Sequence, residues 1–567
     1  MIGKFKQLAT DPTLRRWLVA RALGRVSSPP AFVPHRPPYL SGEDFSAAAR
    51  LPTSAGELRT EAPSCPLTLP LPGESVTVPP GHAAELFARA FADTETLLAA
   101  HRFAWVPIMG NAVDPAWAAA LWNAWKARFA APDESWAWHP YTAAERAVNL
   151  LRFARRHGFF APAADTRACL ATHAPAIARR LEYFGEHNTG NHLANNGRGL
   201  FAIGLELGVP TYADMGAAIL IEEAKRIFAP SGILREGSSH YHLLYARNYA
   251  EAWLCARRHD HGAAAELEAV TARALAVIPR LCLKGGLPLV GDISPDCPPD
   301  HLAAFLPGDP ATAGWGALLD ANERAAFLAL KTRTATADRG VLAADGWVRF
   351  DSGDWTGLWH TAPGGWSAMP GHGHQDAGSF EIHWQDTPLF IDVGRGAYGE
   401  TGAAALYRSA RVHNGITLDG ADPYPPNKSY YDEAFRRREG GPAPTLAHDT
   451  NGVTLSFGGY GRMGAPSTRR RWTFSPIGFA IEDAIEGRGR RRVARRLHTS
   501  WPGAIAGDTA TVHTPKGDFR VRTDGARPIV RPVTRSTAYG AGVPATAIIF
   551  ESPATLPWTG ALRVERV

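Results

Sequence analysis

Histidine and acidic side chains are concentrated in a few short segments late in the chain. The segment GHGHQDAGSF places His372, His374 and Asp376 on a turn that enters a strand. Asp392 follows in IDVGRGAYG, and His413 follows in RSARVHNG. Imidazole and carboxylate groups that converge from separate strands suit zinc or a similar divalent ion. The residues alone predict either such a metal site or a hydrogen-bonded polar cluster without metal.

A second polar cluster lies in the segment HNTGNHLANNGRGLFAIG, directly before an apolar helical pattern. It contains His187, Asn191 and His192 among several further amides. Amides and imidazoles cost stability when they are buried without hydrogen bonds, and a helix N-terminus can hold an anion. Helix capping by asparagine explains one or two of these residues but not the whole set.

A third segment, LREGSSHYHLLYARNY, begins with a turn and continues as a helix. Tyr241, Tyr245 and Tyr249 recur at a spacing of four residues and therefore share one helix face. Tyrosines at this spacing are usually core residues, and we expect that of at least Tyr249.

The elements that must position these residues change character along the chain. Residues 1–80 include proline-rich stretches with little periodicity, which predict an extended strap. Apolar residues at helical spacing predict a helical domain over residues 81–335. After about Gly340 the period changes to two, which predicts an antiparallel β-sandwich over residues 336–567. A helical domain followed by a β-sandwich leaves a cleft between them in which a long ligand could lie.

Composition is typical of a globular protein with several domains. The 567 residues include 17 Trp and 24 Phe, too many aromatic residues for a disordered chain. A net charge of +6 is too small at this length to indicate a nucleic-acid partner. The five cysteines are scattered and never form C-x-x-C, which favours buried thiols over disulfides or a cysteine metal site. Without a signal-peptide core or a long apolar run, we expect a cytoplasmic protein with no membrane span; the periplasm or cell envelope is the alternative.

Several of these segments, taken in order, resemble the heparinase II/III-like polysaccharide lyases, a family related to alginate and chondroitin lyases. The matching segments are WHPYTAAERAVNLLRF, GNHLANNGRGLFAIG, LREGSSHYH, GHGHQDAGSFEI, PLFIDVGRGAYG and RSARVHN. They span roughly residues 136–500, and their common order makes the resemblance specific. It implies an incomplete (α/α) toroid followed by an antiparallel β-sandwich, in agreement with the change of period.

The resemblance implies β-elimination at a 4-O-linked uronic acid. Asn191 and His192 match the amide and the imidazole that hydrogen-bond the uronate carboxylate and stabilise the developing enolate. Tyr241 and His372 match the tyrosine and the histidine that serve as base for the C5 proton and as acid for the departing O4. Which of the two is the base stays open, because the C5 proton of a D-gluco and of an L-ido uronate lies on opposite faces.

The same resemblance implies residues that contact the substrate and hold a metal ion. The predicted substrate-binding side chains are Trp138, Tyr141, Arg146, Asn149, Arg235 and Arg408. His374, Asp392 and His413 match the ligands of one structural divalent ion, which we expect to be zinc, while His372 stays free to face the substrate.

We therefore predict a lyase that cleaves a uronate-containing polysaccharide or oligosaccharide and leaves an unsaturated uronate end. One alternative is a uronate C5-epimerase, which would abstract the same proton without expelling O4. Another is a glycan-binding protein without turnover. The predicted partner is an acidic glycan and not a nucleic acid; the glycan's identity, endo or exo action, and a monomeric or homodimeric state remain open.

Overall fold

The computed structural model describes residues 11–26, 33–42, 56–186, 188–367 and 371–567. His187 and parts of the predicted strap lie outside the described residues. Within the described ranges, no helix is long and apolar enough to cross a membrane.

Helices dominate the described chain up to Ala344. Proline occupies the first position of several of them, where its missing N–H costs no hydrogen bond. The helices are α1 (Pro12–Ala22), α2 (Ala83–Ala88), α3 (Thr94–Arg102), α4 (Trp105–Met109), α5 (Pro115–Phe129), α6 (Pro140–His157), α7 (Ala163–Ala171), α8 (His173–Ala178), α9 (His192–Glu206), α10 (Pro210–Ile227), α11 (Ser239–Arg258), α12 (Ala264–Leu281), α13 (Ala321–Arg333), α14 (Arg339–Ala344), α15 (Gly402–Leu406) and α16 (Glu433–Gly440).

Helix α9 packs backbone to backbone against its neighbours. A Cβ atom on Gly199 would lie 2.6 Å from the Cβ atom of Ala144 in α6. A Cβ atom on Gly204 would lie 2.2 Å from the backbone nitrogen of Ala213 in α10. The glycines of the GRGLFAIG segment therefore permit a close approach that a larger residue would prevent. This packing fixes the N-terminal end of α9, which begins at His192.

Strands dominate from Trp347 onward, and a few short ones precede them. The strands are β1 (Glu57–Leu58), β2 (Leu67–Leu71), β3 (Glu74–Val78), β4 (Phe159–Phe160), β5 (Trp347–Ser352), β6 (Trp355–His360), β7 (Ser379–Trp384), β8 (Thr387–Phe390), β9 (Ile416–Leu418), β10 (Thr445–His448), β11 (Gly452–Phe457), β12 (Ser467–Ser475), β13 (Gly478–Thr499), β14 (Gly503–Ala506), β15 (Thr509–Thr514), β16 (Gly517–Thr523), β17 (Pro528–Ala538) and β18 (Ala541–Arg566).

Two antiparallel sheets form the C-terminal region. The smaller sheet has the order β5-β6-β7-β8. The larger sheet has the order β10-β11-β12-β13-β18-β16-β15-β14, with β9 added to β13 and β17 added to β18. Their apolar faces share one core, in which Trp359 and Phe380 of the smaller sheet contact Trp472 of the larger one. This arrangement, a helical region followed by an antiparallel β-sandwich, confirms the predicted fold class.

The first 80 residues contain more regular structure than the predicted strap. Helix α1 packs Leu14 and Trp17 against Tyr431 and Phe435 of the C-terminal region. Strands β2 and β3 form an antiparallel hairpin. The proline-rich sequence did not predict this hairpin. Proline is nevertheless tolerated in a strand at a sheet edge, and β2, which contains Pro70, is such a strand.

The helical and β regions are joined by backbone hydrogen bonds around His372. The N–H of His372 donates to the carbonyl of Glu236 at 2.8 Å, and the carbonyl of His372 accepts from the N–H of Asp292 at 2.8 Å. A Cβ atom on Gly237, whose φ is +71°, would lie 3.0 Å from the Cα atom of Gly373. The turn that carries His372 is therefore held from the helical side.

Candidate active site

Tyr241 and His372 meet at the boundary between the helical region and the β-sandwich. Their rings are stacked, with centroids 3.5 Å apart and planes inclined by 10°. Tyr241 lies in the first turn of α11, where the N-cap residue Ser238 accepts from the N–H of Tyr241. His372 lies on the turn before β7 and its side chain is 19% exposed, so the pair reaches the surface.

Asn191 contacts the same pair from the N-terminus of α9. Its backbone N–H and its Nδ2 donate to the carboxylate of Glu236 at 2.8 and 2.6 Å. Its Nδ2 also lies 3.3 Å from Nε2 of His372. The hydroxyl of Tyr245 donates to the Asn191 carbonyl at 2.8 Å. Glu236 and His372 therefore hold the side-chain amide of Asn191, and Glu236 and Tyr245 hold its backbone, before any ligand arrives. This reduces the reorganisation that binding requires.

Asp292 connects His372 to the β-sandwich. Its Oδ2 lies 3.1 Å from Nδ1 of His372, and its Oδ1 lies 2.9 Å from Nε2 of His374. Arg395 donates to the same carboxylate at 3.0 Å. Burial favours the protonated acid, but the hydrogen bonds from both histidines outweigh it and hold the pKa of Asp292 well below its usual range. A carboxylate at this position fixes the ring orientation of His372.

A second tyrosine, Tyr398, touches Tyr241. The two hydroxyl oxygens are 2.5 Å apart, and the Tyr398 and His372 rings are stacked with centroids 6.1 Å apart. Burial raises the pKa of Tyr241 well above 10, and the Asp296 carboxylate raises it further. Burial and the neighbouring Tyr241 raise the pKa of Tyr398 in the same way. Both phenols are therefore protonated at neutral pH.

His192 stands at the open edge of the site and is paired with Glu182. Its Nδ1 lies 2.7 Å from Oε1 of Glu182, and its side chain is 51% exposed. Desolvation opposes a charge on the ring, but the Glu182 carboxylate outweighs it and raises the pKa of His192. Burial opposes the charge on Glu182 as well, yet His192 lowers the pKa of Glu182 to about 2. The Glu182 carboxylate therefore favours the charged form of the His192 ring beside Asn191.

A comparison of sequences identifies the family of the β region. Residues 334–559 match the family model described as heparinase II/III-like, C-terminal. No curated protein matches the sequence.

Several solved structures share the fold of this chain. A heparinase III has a TM-score of 0.59 at 14% identity, covering 82% of this chain and 76% of its own. The heparinase III product BT4657 has a TM-score of 0.55 at 17% identity, covering 84% and 80%. The heparan sulfate lyase HepC from Pedobacter heparinus has a TM-score of 0.52 at 17% identity, covering 84% and 78%. The likeness extends over both regions, the helical toroid and the β-sandwich.

Three of the predicted substrate-binding residues are buried in the helical region. The guanidinium of Arg146 is fully buried over the rings of Trp125 and Trp138 and donates to two backbone carbonyls. Trp138 and Asn149 also donate to backbone carbonyls, at 2.9 and 3.0 Å. These contacts hold the three side chains within the helical region; their predicted contact with substrate stays a prediction. A sequence motif can contain buried structural residues as well as site residues, so the motif alone does not separate the two.

Tyr141 lies in the wall of the candidate site. Its ring centroid is 4.7 Å from that of His192. Its hydroxyl donates to Asp296 at 2.6 Å, and Arg102 donates to the same carboxylate at 2.8 Å while lying over the Tyr141 ring. The hydroxyl of Tyr141 is therefore already engaged, and its ring supports His192.

Arg235 and Arg408 are brought together elsewhere. Both line a cavity of about 830 Å³ between the helical and β regions, which His374 and Gln375 also line. Of the described residues that line it, none is Tyr241, Asn191, His192 or His372. The structure thus places the two arginines beside the turn that carries His372, but outside the group formed by Tyr241, His372 and Asn191.

The three predicted metal ligands lie close together beneath the His372 turn. The rings of His374 and His413 have centroids 5.0 Å apart. Nδ1 of His374 and Nε2 of His413 are buried and have no hydrogen-bond partner. Asp392 accepts from Ser379 at 3.1 Å, and its Oδ2 lies 3.0 Å from Nδ1 of His413. The structure thus buries two unpartnered imidazole nitrogens beside a carboxylate, and unpaired polar atoms are costly to bury.

Another cluster of possible ligands lies on α9 and α11. Among the described residues, the ligand atoms of Glu206, Cys255 and His259 all lie within 4.8 Å of one another. Arg258 already donates to Glu206, and burial raises the pKa of the Cys255 thiol to about 12. A protonated thiol and a neighbouring guanidinium disfavour a cation there.

Sequence reasoning missed several residues of the candidate site. Tyr398 stands in the IDVGRGAYG segment and Glu236 in LREGSSHYH, so their motifs had been noted without a role for them. Asp292 and Asp296 lie in GDISPD, a loop without a periodic pattern. Only their contacts across the domain boundary reveal them, since nothing in that local sequence indicates which histidine or tyrosine they meet.

Proposed function

We propose that this protein is a polysaccharide or oligosaccharide lyase that cleaves a uronate-containing glycan by β-elimination. The observation that carries the proposal is the contact of Tyr241, His372 and Asn191 at one partly exposed position. An acid, a base and a carboxylate-binding amide within hydrogen-bond reach of one another are what the reaction requires. The match of residues 334–559 to the family model described as heparinase II/III-like, C-terminal, supports the same class.

In this proposal His372 accepts the C5 proton and Tyr241 protonates the departing oxygen. Asp292 accepts from Nδ1 of His372, which leaves the lone pair of Nε2 for proton transfer. The raised pKa of Tyr241 keeps its phenol protonated and therefore suited to donation. As the C5–H bond breaks, its electrons form the C4=C5 double bond and the C4–O4 bond breaks. The proton goes to His372, and O4 receives the proton of Tyr241.

Asn191 and His192 bind the uronate carboxylate in this mechanism. Removal of the C5 proton shifts negative charge onto that carboxylate, so groups that donate to it stabilise the transition state more than the ground state. Glu236 holds the Asn191 amide, and Glu182 raises the pKa of His192 and so favours its charged form. The pair of donors also accounts for selection of an acidic sugar over a neutral one.

The direct test is incubation with a panel of uronate polysaccharides: alginate, chondroitin, heparan, hyaluronan and bacterial acidic exopolysaccharides. A lyase produces the ultraviolet absorbance of a conjugated unsaturated uronate. A C5-epimerase instead exchanges the C5 hydrogen with deuterium from D₂O without new absorbance. Binding without either signal contradicts catalysis and supports the non-catalytic alternative.

We further propose that His374, Asp392 and His413 hold one structural zinc-like ion. The buried, unpartnered nitrogens of the two histidines support this assignment. When bound, the ion would tie the His372 turn to the segment after β8, which carries Asp392, and to the segment before β9, which carries His413. It would take no part in proton transfer. His372 keeps its own partner, Asp292, and faces Tyr241.

A further inference from the structure

Two glycine turns from opposite regions touch beside the candidate site. Pro72 and Gly73 join β2 to β3, and Tyr539 and Gly540 join β17 to β18. A Cβ atom on Gly540 would lie 2.2 Å from the Cα atom of Gly73, and both glycines have positive φ. The close approach therefore requires glycine at position 540, and the positive φ of Gly73 favours glycine there as well. We call the two turns, together with the contacts of Tyr539, the cross-domain clamp.

The side chain of Tyr539 fastens the clamp to both regions. Its hydroxyl donates to Oδ2 of Asp93, the N-cap residue of α3, at 2.9 Å. The same hydroxyl accepts from the N–H of Tyr398 at 3.1 Å. The N–H of Gly540 donates to the carbonyl of Gly396 at 2.6 Å. Tyr539 is 6% exposed, so these contacts exclude water from this edge.

The clamp stands directly beside the reacting residues. The rings of Tyr539 and Tyr398 have centroids 5.2 Å apart in an edge-to-face arrangement. Tyr398 in turn contacts the hydroxyl of Tyr241 at 2.5 Å. From Tyr241 the contacts continue through His372 and Asn191 to His192, whose side chain is 51% exposed. Along this series of contacts, Tyr539 is the buried end and His192 is the exposed end.

We infer that the cross-domain clamp makes this protein act on glycan chain ends and not within chains. The inference rests on the proposed function, since it names how a substrate enters the same site. A polymer that is cleaved internally must extend beyond the site on both sides of the scissile bond. A wall next to Tyr398 removes one direction, so only a chain end fits between the wall and Tyr241. The ring of Tyr539 is then the specificity-determining group.

The size of the products over time tests this inference. End-directed action releases one short product of constant size from the first time point, while the remaining polymer shortens slowly. Internal cleavage produces mixed sizes and an early collapse of viscosity. Mixed sizes from the unaltered protein would overturn the inference and leave the proposed lyase function intact. No unsaturated product from any glycan would contradict the proposed function itself and, with it, the end-directed action.

Two substitutions at one position assign the effect to the clamp. Tyr539→Ala removes both the ring and the hydroxyl, and we expect its products to shift from one size to several. Tyr539→Phe keeps the ring in contact with Tyr398 and is expected to retain the single product size. Products of one size from a folded Tyr539→Ala variant would show that the clamp does not set the mode of action.

A third measurement needs no variant and therefore does not depend on the folding of one. A substrate oligosaccharide is coupled to a bulky carrier protein at its reducing end, and a second sample is coupled at its non-reducing end. End-directed action requires that one of the two conjugates resists cleavage while the other is degraded. Equal cleavage of both conjugates contradicts a closed end.

Discussion

At the scale of single residues, removal of the Tyr241 hydroxyl distinguishes its role in proton transfer from a role in substrate binding. We expect Tyr241→Phe to lower kcat by about 10²–10⁴-fold, because a general acid is lost while the ring can still stack on His372. Its KM and melting temperature should change little. Tyr249→Phe is the matched control, since that hydroxyl donates to the Leu220 carbonyl and touches no reacting group. Full activity in Tyr241→Phe would remove the residue from the mechanism.

The pair of His192 and Glu182 predicts the pH dependence of binding. The Glu182 carboxylate raises the pKa of His192, so the ring keeps its charge to a higher pH than a free histidine and loses it as pH rises through that pKa. KM should therefore increase on the alkaline side. Glu182→Gln removes the charge that raises the pKa of His192, so the increase should move to lower pH. Profiles of KM against pH for both proteins check this; superimposable profiles would contradict it.

At the scale of elements, substitution of Arg146 in α6 tests whether this motif residue stabilises the fold or binds the substrate. Its guanidinium forms hydrogen bonds to His101 and Ala137 and packs on two tryptophans. We expect Arg146→Ala to lower the free energy of unfolding by about 2–4 kcal/mol, since buried acceptors lose their donors. KM should stay the same in conditions where the variant is folded.

Arg235→Ala is the matched control for that change, because Arg235 is exposed at the mouth of the cavity. It should leave the free energy of unfolding almost unchanged in denaturant titrations. A raised KM with unaltered stability in Arg146→Ala would restore its predicted contact with substrate.

At the scale of the whole molecule, the proposed metal ion is expected to stabilise the β-sandwich without entering the chemistry. His374→Ala, Asp392→Ala and His413→Ala should each lose the ion and melt at a lower temperature, since a structural ion contributes directly to folding. His372→Ala should retain the ion and lose turnover. Elemental analysis and thermal melting of the four variants check this division. Metal loss in His372→Ala with retention in His374→Ala would reverse it.

The sequence by itself determined the order of architectures and most of the residues that meet. The change from helical to alternating periodicity placed the switch near Gly340, and the structure passes from α14 to β5 between Ala344 and Trp347. This was possible because the period of apolar residues is a local property that burial imposes on each element. The motifs containing Asn191, Tyr241 and His372 were recognisable for the same reason, since each is short and continuous.

Only the tertiary structure decided which of those residues face one another and what holds them. Asp292 meets His372 and His374, Tyr398 meets Tyr241, and Tyr539 meets Asp93, in each case between segments far apart in the chain. Arg146, predicted as a substrate-binding residue, lies in the core, where its guanidinium packs between tryptophans and donates to backbone carbonyls. Such pairings depend on how two packed regions dock, and no periodic pattern within either region encodes that docking.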